Sequence, residues 1–355
     1  MAEPKPAASI DDGSIDGVDL AALEAWMDDH GVGSGPITDP KPLAGGTQNI
    51  IIGFARGGDS YVLRRPPLHK RANSDETMRR EARVLSALAG SAVPHPRLIA
   101  AEADPSVLGA AFTLTAFVDG FNPTVGLPSP HRDDPAIRHR IGLSLVEAAA
   151  ALASIDHLGA GLGDLGRPDG FLERQVPRWR AQLESYAELD GYDGPAIGEV
   201  DVVADWLDRN RPAAGVAGIM HGDFHLANVL VSRDAGEIAA VVDWELCTIG
   251  DPLLDLGWVL ATWRDDVSVM TTTAVEPWDG FATPAELIAH YAAHTDRPID
   301  DWPWFATLAC YKLGIILEGT HARACAGLAP VATGDALHAM AIALFERAGR
   351  FMAAD

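Results

Sequence analysis

Two hydrophobic rhythms divide the chain. Over roughly its first third, apolar residues come in short runs cut by Gly, Pro and Asp. Ile50-Ile51-Ile52-Gly53-Phe54, Tyr61-Val62-Leu63-Arg64-Arg65 and Ala111-Phe112-Thr113-Leu114-Thr115-Ala116-Phe117-Val118 have the length and composition of strands. Arg56-Gly57-Gly58-Asp59-Ser60 turns the first into the second, and Pro66-Pro67 stops it. Residues 93–100 are extended and enter another strand. Two helical patterns accompany these strands. Residues 19–30 place Leu20, Leu23 and Trp26 on one face, with Gly31 as the C-cap. Residues 75–88 align Met78, Ala82, Leu85 and Leu88.

Beyond a Pro-, Asp- and His-containing connector at 123–135 the period becomes helical. Helices are predicted at 136–155, 171–189, 200–210, 285–293, 302–323 and 336–352, with a Gly-rich loop at 158–170. One β pattern interrupts them. The apolar runs 229–231 and 238–242 are separated by Ser232-Arg233-Asp234-Ala235-Gly236-Glu237, which predicts a hairpin with a longer turn. There is no internal repeat.

That hairpin is bracketed by polar residues. His221-Gly222-Asp223-Phe224-His225-Leu226-Ala227-Asn228 precedes it, and Asp243 follows it. The spacing D-x-x-x-x-N is that of a kinase catalytic loop, where Asp serves as base and Asn as metal ligand. A further Asp after the next strand completes a set of hard oxygen donors suited to Mg²⁺. Asp and Asn are also common turn formers, so it is the combination with its strand context that points to catalysis. Zinc binding by His221 and His225 fits poorly, because H-E-x-x-H needs a helix and a Glu beside the first His.

Composition narrows the alternatives. The 355 residues carry a formal net charge of −23 and are 48% hydrophobic, enough for a real core. The negative field disfavours nucleic acid and anionic membranes as partners, and no apolar run approaches the roughly 18 residues of a membrane span. Cys247, Cys310 and Cys325 are odd in number and far apart, which fits a reducing cytoplasm and no disulfide framework. The N-terminal stretch lacks an apolar signal region and reads as a loose arm. Hydrolase and P-loop motifs are absent.

Four stretches carry a family resemblance: Tyr61 through Pro67; Gly161 through Pro168 with Arg178-Trp179; His221-Gly222-Asp223 through Asn228; and Tyr311-Lys312-Leu313 through Glu318-Gly319 to Arg323. With them the chain resembles the aminoglycoside phosphotransferase family. Within it, the chain is similar to a branch related to the kinase-like domains that accompany some acyl-CoA dehydrogenases. The resemblance implies an α+β, protein-kinase-like bilobal fold, with a small β-rich N-lobe holding one main helix and a larger, mostly helical C-lobe. The implied layout is an arm at 1–18, a nucleotide-binding N-lobe at 19–118 and a catalytic C-lobe at 119–355.

It also implies roles. Asp223 is the catalytic base, His221 braces the loop, and Asn228 and Asp243 hold magnesium. Gly46, Thr47, Gln48 and Asn49 occupy the phosphate-loop position. Arg64, where the family often has Lys, pairs with Glu81; Arg65, one residue on, faces the opposite way. Ala116 and Val118 offer backbone groups to an adenine edge, and Asp255 supports the catalytic loop. The implied reaction moves the γ-phosphate of ATP, with GTP not excluded, to a hydroxyl of a small molecule. The acceptor region is expected among Asp265, Asp266, Trp302, Trp304, Tyr311, Glu318, His321 and Arg323. Two alternatives remain open here: a nucleotide-binding pseudokinase, and a kinase of a hydroxyacyl thioester. Oligomeric state is not legible.

Overall fold

The computed structural model describes residues 14–43, 49–213, 215–265 and 274–354. They fall into two compact units, one of residues up to Asp119 together with Val242–Glu245, the other of Gly120–Val241 and Leu246–Asp355.

In the first unit, β3 (Thr38–Pro42), β4 (Ile50–Arg56), β5 (Asp59–Arg65), β6 (Leu98–Glu102) and β7 (Phe112–Ala116) form one antiparallel sheet of order β3-β4-β5-β7-β6. A small hairpin, β1 (Ser14–Ile15) and β2 (Val18–Asp19), leads into α1 (Leu20–Asp29). Asp19 caps α1 by accepting from the amides of Ala21 and Ala22. Ile15, Val18, Leu23, Trp26 and Met27 pack with Ile52, Phe54, Tyr61, Leu63, Phe112 and Leu114 in one apolar cluster. Ile15 and Val18, expected in a loose arm, therefore belong to this core, because they have apolar surface to bury.

Alternation along β5 sorts the two arginines. Tyr61, Leu63 and Arg65 are buried in succession, whereas Val62 and Arg64 are of intermediate exposure. Arg65 donates to the carbonyls of Leu108 and Pro66 at 2.7 and 3.1 Å. Arg64 reaches α2 (Ser74–Ala87) instead.

The second unit is mostly helical: α3 (Pro135–Ala153), α4 (Gln175–Ser185), α5 (Val200–Arg209), α6 (Leu253–Thr262), α7 (Pro284–Ala293), α8 (Trp302–Cys325) and α9 (Val331–Met352). Every residue of α6 is buried, as expected of a helix that is apolar all round. Gly257 permits α8 to come close, since a Cβ there would meet the Phe305 carbonyl oxygen at 2.5 Å. A capping box between Thr283 and Glu286, with Pro284 following the cap, starts α7. Two predicted helices begin elsewhere. α4 starts at Gln175 rather than residue 171, because Pro168 and Gly170 hold turns ahead of it. α9 starts at Val331 and runs through Gly334, whose missing side chain makes room for Ala324 of α8.

Three short strand pairs shape the loops of this unit. β9 (Gly218–Met220) pairs with β12 (Thr248–Gly250). β10 (Val229–Ser232) pairs with β11 (Ile238–Val241), the hairpin expected from the sequence, and β8 (Gly120–Phe121) adds a third strand to β10. Ser144 of α3 accepts the Ile238 amide at 2.9 Å, and Asn122 donates to the Ala227 carbonyl at 2.5 Å. Both bonds fix the hairpin's frame.

Candidate active site

The loop between β9 and β10 is held from beneath by one carboxylate. Asp255, 2% exposed at the start of α6, accepts the amides of His221 at 2.7 Å and Gly222 at 2.9 Å. Burial pushes its carboxyl up to about 7, against the pull of those amides and of Lys312. Gly222 has φ +87, and a Cβ there would meet the Leu246 carbonyl oxygen at 2.7 Å. His221 is fully buried, and its Nδ1 accepts the Asp223 amide at 3.3 Å.

Around this support the Asp223 carboxylate is oriented by three donors. Asn228 Nδ2 donates to Oδ2 and to the Asp223 carbonyl, both at 2.9 Å. Trp258 of α6 donates its indole N–H to Oδ1 at 2.8 Å, and His225 Nε2 lies 3.1 Å from the same oxygen. His225 Nδ1 accepts the Ala227 amide at 3.1 Å, so the hydrogen-bond network assigns the ring proton to Nε2, where it points at Asp223. Burial raises the Asp223 pKa, but His225 and Asn228 more than offset it and hold the carboxyl well below the usual range. Asp223 is thus an ionised acceptor of low basicity.

Lys312 of α8 closes the underside. Its ammonium donates to the Gly222 carbonyl at 3.3 Å and sits 4.4 Å from the Trp258 ring and 5.6 Å from that of Trp179. Burial pulls it down to about 8, opposed by Asp223 and Asp255. Arg178 stands over the other ring, 5.2 Å from the centroid of Trp179.

The first unit holds a second cluster. Arg64 donates to Glu81 of α2 at 3.3 Å and to Asp243 at 2.5 Å, and lies 3.5 Å from Glu245. Asn49 donates to Glu245 at 3.4 Å. One guanidinium thus faces three carboxylates. Glu81 is pushed up to about 7 by burial and by Asp243 and Glu245, with Arg64 opposing. The Arg64 pKa rises, because its acidic partners outweigh its burial. Asp243 adopts φ +66 without being glycine, a conformation that costs about 1–3 kcal/mol and is held by its surroundings. The surplus of negative charge, and the buried Glu81 Oε2 and Arg64 Nε without hydrogen-bond partners, fit a cation and a polyanion placed together. Asp243 offers a carboxylate oxygen. That is a hard donor of the kind magnesium takes. In the second unit, the amide oxygen of Asn228, whose nitrogen serves Asp223, is a donor of the same kind.

Among the other expected contacts, Gly46, Thr47 and Gln48 lie outside the described residues. Ala116 does not present a free N–H, since it donates to the Arg97 carbonyl at 2.9 Å, and β7 ends there rather than at Val118. In the expected acceptor region, Trp304 and Tyr311 are core residues, 2% and 0% exposed, and Trp304 donates to the Leu207 carbonyl. Asp265 pairs with Arg347 and Arg350, Trp302 packs against Phe351, and Arg323 is exposed. Asp266 lies outside the described residues. Lys312, Trp258 and His225 were not singled out from the sequence as partners of Asp223. Lys312 and Trp258 lie on buried helices with core-like periodicity, and only His225's place inside the motif could have pointed to it.

Residues 39–305 match the family model described as the Phosphotransferase enzyme family. The chain belongs to that family. Acyl-CoA dehydrogenase family member 11 from Rattus norvegicus is 28% identical over 86% of this chain, and the Gallus gallus protein of that name is 31% identical over 80%. The chain spans only 39% and 36% of those two relatives' lengths. A solved structure from Ralstonia eutropha, named provisionally as an aminoglycoside phosphotransferase, has a TM-score of 0.76 at 30% identity, covering 94% of this chain and 99% of that one. The aminoglycoside phosphotransferase APH(4)-Ia, solved with AMP-PNP and hygromycin B, shares the fold at 18% identity and a TM-score of 0.58, covering 92% of this chain and 99% of its own. The phosphotransferase fold seen here is thus protein-kinase-like, α+β, with a β-rich unit and a helical one.

Proposed function

We propose that this chain transfers the γ-phosphoryl group of ATP to a hydroxyl of a small molecule, with magnesium as the metal. The observation that carries the reading is the Asp223 carboxylate, ionised and aimed by Trp258, His225 and Asn228 within a loop fixed by Asp255. A carboxylate so strongly stabilised is a poor proton sink at the outset. Its role is to accept a hydrogen bond from the acceptor hydroxyl and align the oxygen for in-line attack, taking the proton as the bond to phosphorus develops. Arg64, held by Glu81, supplies fixed positive charge for phosphate oxygens and the planar fork that suits them. Asn228 and Asp243 are the residues to hold magnesium, which when bound neutralises charge on the transferring phosphates.

The acceptor is read as a hydroxyl-bearing small molecule, the class represented by the hygromycin B of APH(4)-Ia and the kanamycin of a second structural neighbour, APH(2″)-IIIa. Aminoglycosides are one candidate within that class. The test is a screen of metabolite extract with γ-labelled ATP and magnesium, using wild type and Asp223→Asn. Label on a small molecule with wild type alone supports the reading. No label in any fraction, with nucleotide binding indifferent to magnesium, sinks it in favour of a nucleotide-binding protein without transfer activity.

A further inference from the structure

A second group of chemistry-bearing side chains lies between α8 and α9, apart from the Asp223 loop. Glu318 and His321 are three residues apart on one face of α8, and Cys325 is four further on, so all three share that face. His338 and Asp335 come from α9. One ligand atom from each of Glu318, His321 and His338 lies within 4.8 Å of the others. The close approach has a structural cause. At Gly334 a Cβ would meet the Ala324 Cβ at 2.4 Å and the His321 Cα at 3.3 Å, so only glycine lets α9 sit this near α8. One turn later His338 reaches Glu318.

Glu318 and His321 are each held by a partner outside the trio. Glu318 is fully buried; Tyr192 donates to its Oε1 at 2.7 Å, which leaves Oε2 toward His338 Nδ1, also at 2.7 Å. His321 Nε2 is 3.7 Å from the Cys325 sulfur. His321 Nδ1 is buried without a hydrogen-bond partner, and Asp335 Oδ1 stands 3.7 Å from it. The rings of His321 and His338 lie 4.3 Å apart. A buried ring nitrogen with nothing to bond is costly in a folded chain, and here it faces a carboxylate and a second imidazole.

We propose that Glu318, His321 and His338 bind a divalent transition-metal ion of the zinc class, with Asp335 at the rim or water completing four-coordination. Two imidazoles and a carboxylate are a borderline-soft set that suits zinc rather than magnesium. Tyr192 and Cys325 then serve as the outer partners that orient the ligands. The ion would tie α8 to α9. The comparable trio Glu147, His290 and His294 lacks this character, because Arg140 already takes both oxygens of Glu147 at 2.6 and 2.7 Å.

The test uses the full chain, stripped with a chelator and free of nucleotide. Zinc would be titrated against a chromogenic chelator, and bound metal counted after desalting. Wild type is expected to retain one zinc per chain. His321→Gln and His338→Gln, checked for wild-type circular dichroism, should each weaken binding at least as much as loss of an outer-shell partner, about 10–100-fold. His290→Gln should change nothing. Cobalt loading should give the visible bands of a tetrahedral site, which both variants lose. No retained zinc in wild type, or zinc bound as tightly by either His321→Gln or His338→Gln as by wild type, overturns the proposal. So does zinc lost in His290→Gln. None of these outcomes bears on phosphoryl transfer at Asp223, which the labelled-ATP screen reads separately.

Discussion

Trp258 donates its indole N–H to Oδ1 of Asp223 at 2.8 Å. A helix buried along its whole length thus reaches out to aim the one carboxylate on which the proposed chemistry turns. Hydrogen bonds to charged groups contribute about 1.5–3 kcal/mol. Trp258→Phe keeps the ring for Lys312 and removes only the donor. The expected result is a fall in kcat of ~10- to 100-fold with nucleotide affinity unchanged. Steady-state kinetics beside a nucleotide-binding titration reads this, and an unaltered kcat would remove Trp258 from the catalytic set.

Lys312 lies under the same loop with its pKa pulled down to about 8 by burial. It is charged below that pH and neutral above it. The rate of phosphoryl transfer should therefore decline as pH rises through about 8, and Lys312→Met should be slower at neutral pH and lack that decline. Stability moves the other way. Between about 8 and the ordinary 10.5 the unfolded chain binds the proton and the folded one does not, so the Lys312 contribution improves with rising pH over that window. Opposite signs for rate and stability would separate this lysine from a general loss of fold.

Glu81 gives a different pH signature. Its carboxyl is pushed from 4.5 up to about 7 by burial and by two neighbouring acids. From about 4.5 to about 7 the folded chain keeps a proton that the unfolded chain has lost. Its stabilising contribution is full below that window and is lost as pH rises through about 7. Asp255 acts in the same sense, so the measurement needs the comparison with Glu81→Gln. Urea midpoints taken across the window should show the wild type losing stability relative to the variant as pH rises. Magnesium, by neutralising the Asp243 charge that helps raise Glu81, should move the wild-type loss to lower pH, and no shift would detach the metal from this cluster.

The packing of α6 on α8 makes a prediction about stability alone. A Cβ at Gly257 would stand 2.5 Å from the Phe305 carbonyl oxygen and 2.7 Å from its carbon, both backbone atoms that cannot swing aside. Gly257→Ala should cost about 1–3 kcal/mol, the usual range for overpacking. Trp304→Ala, emptying a fully packed site, should cost about 3–5 kcal/mol without altering which acceptors are used. A changed acceptor preference would return Trp304 to the substrate-binding residues. Chemical denaturation and the labelled-ATP screen give the two readings.

The parts of the site that could be read from the sequence were those written in short range. Asp223, Asn228 and Asp243 bracket a hairpin whose two apolar runs and Gly-containing turn are contiguous, and alternation along β5 separates Arg64 from Arg65. What escaped were partners brought in by helices with no periodic signature. α8 is buried almost all round, so apolar spacing could not distinguish Tyr311, a core ring, from Lys312, its neighbour, which reaches the Asp223 loop. Trp258 was hidden for the same reason in α6. Ile15 and Val18 were too few to register as structure until a two-strand hairpin folded them onto the first unit's core.

Gly222 carries a wider consequence. Its amide is taken by Asp255, its carbonyl by Lys312, and the space beside its Cα by the Leu246 carbonyl. A saturation library screened for function should return glycine alone at this position, even against alanine. Adaptation to new acceptors would then have to be written in the surrounding helices, leaving the loop itself as the part of the enzyme that cannot drift.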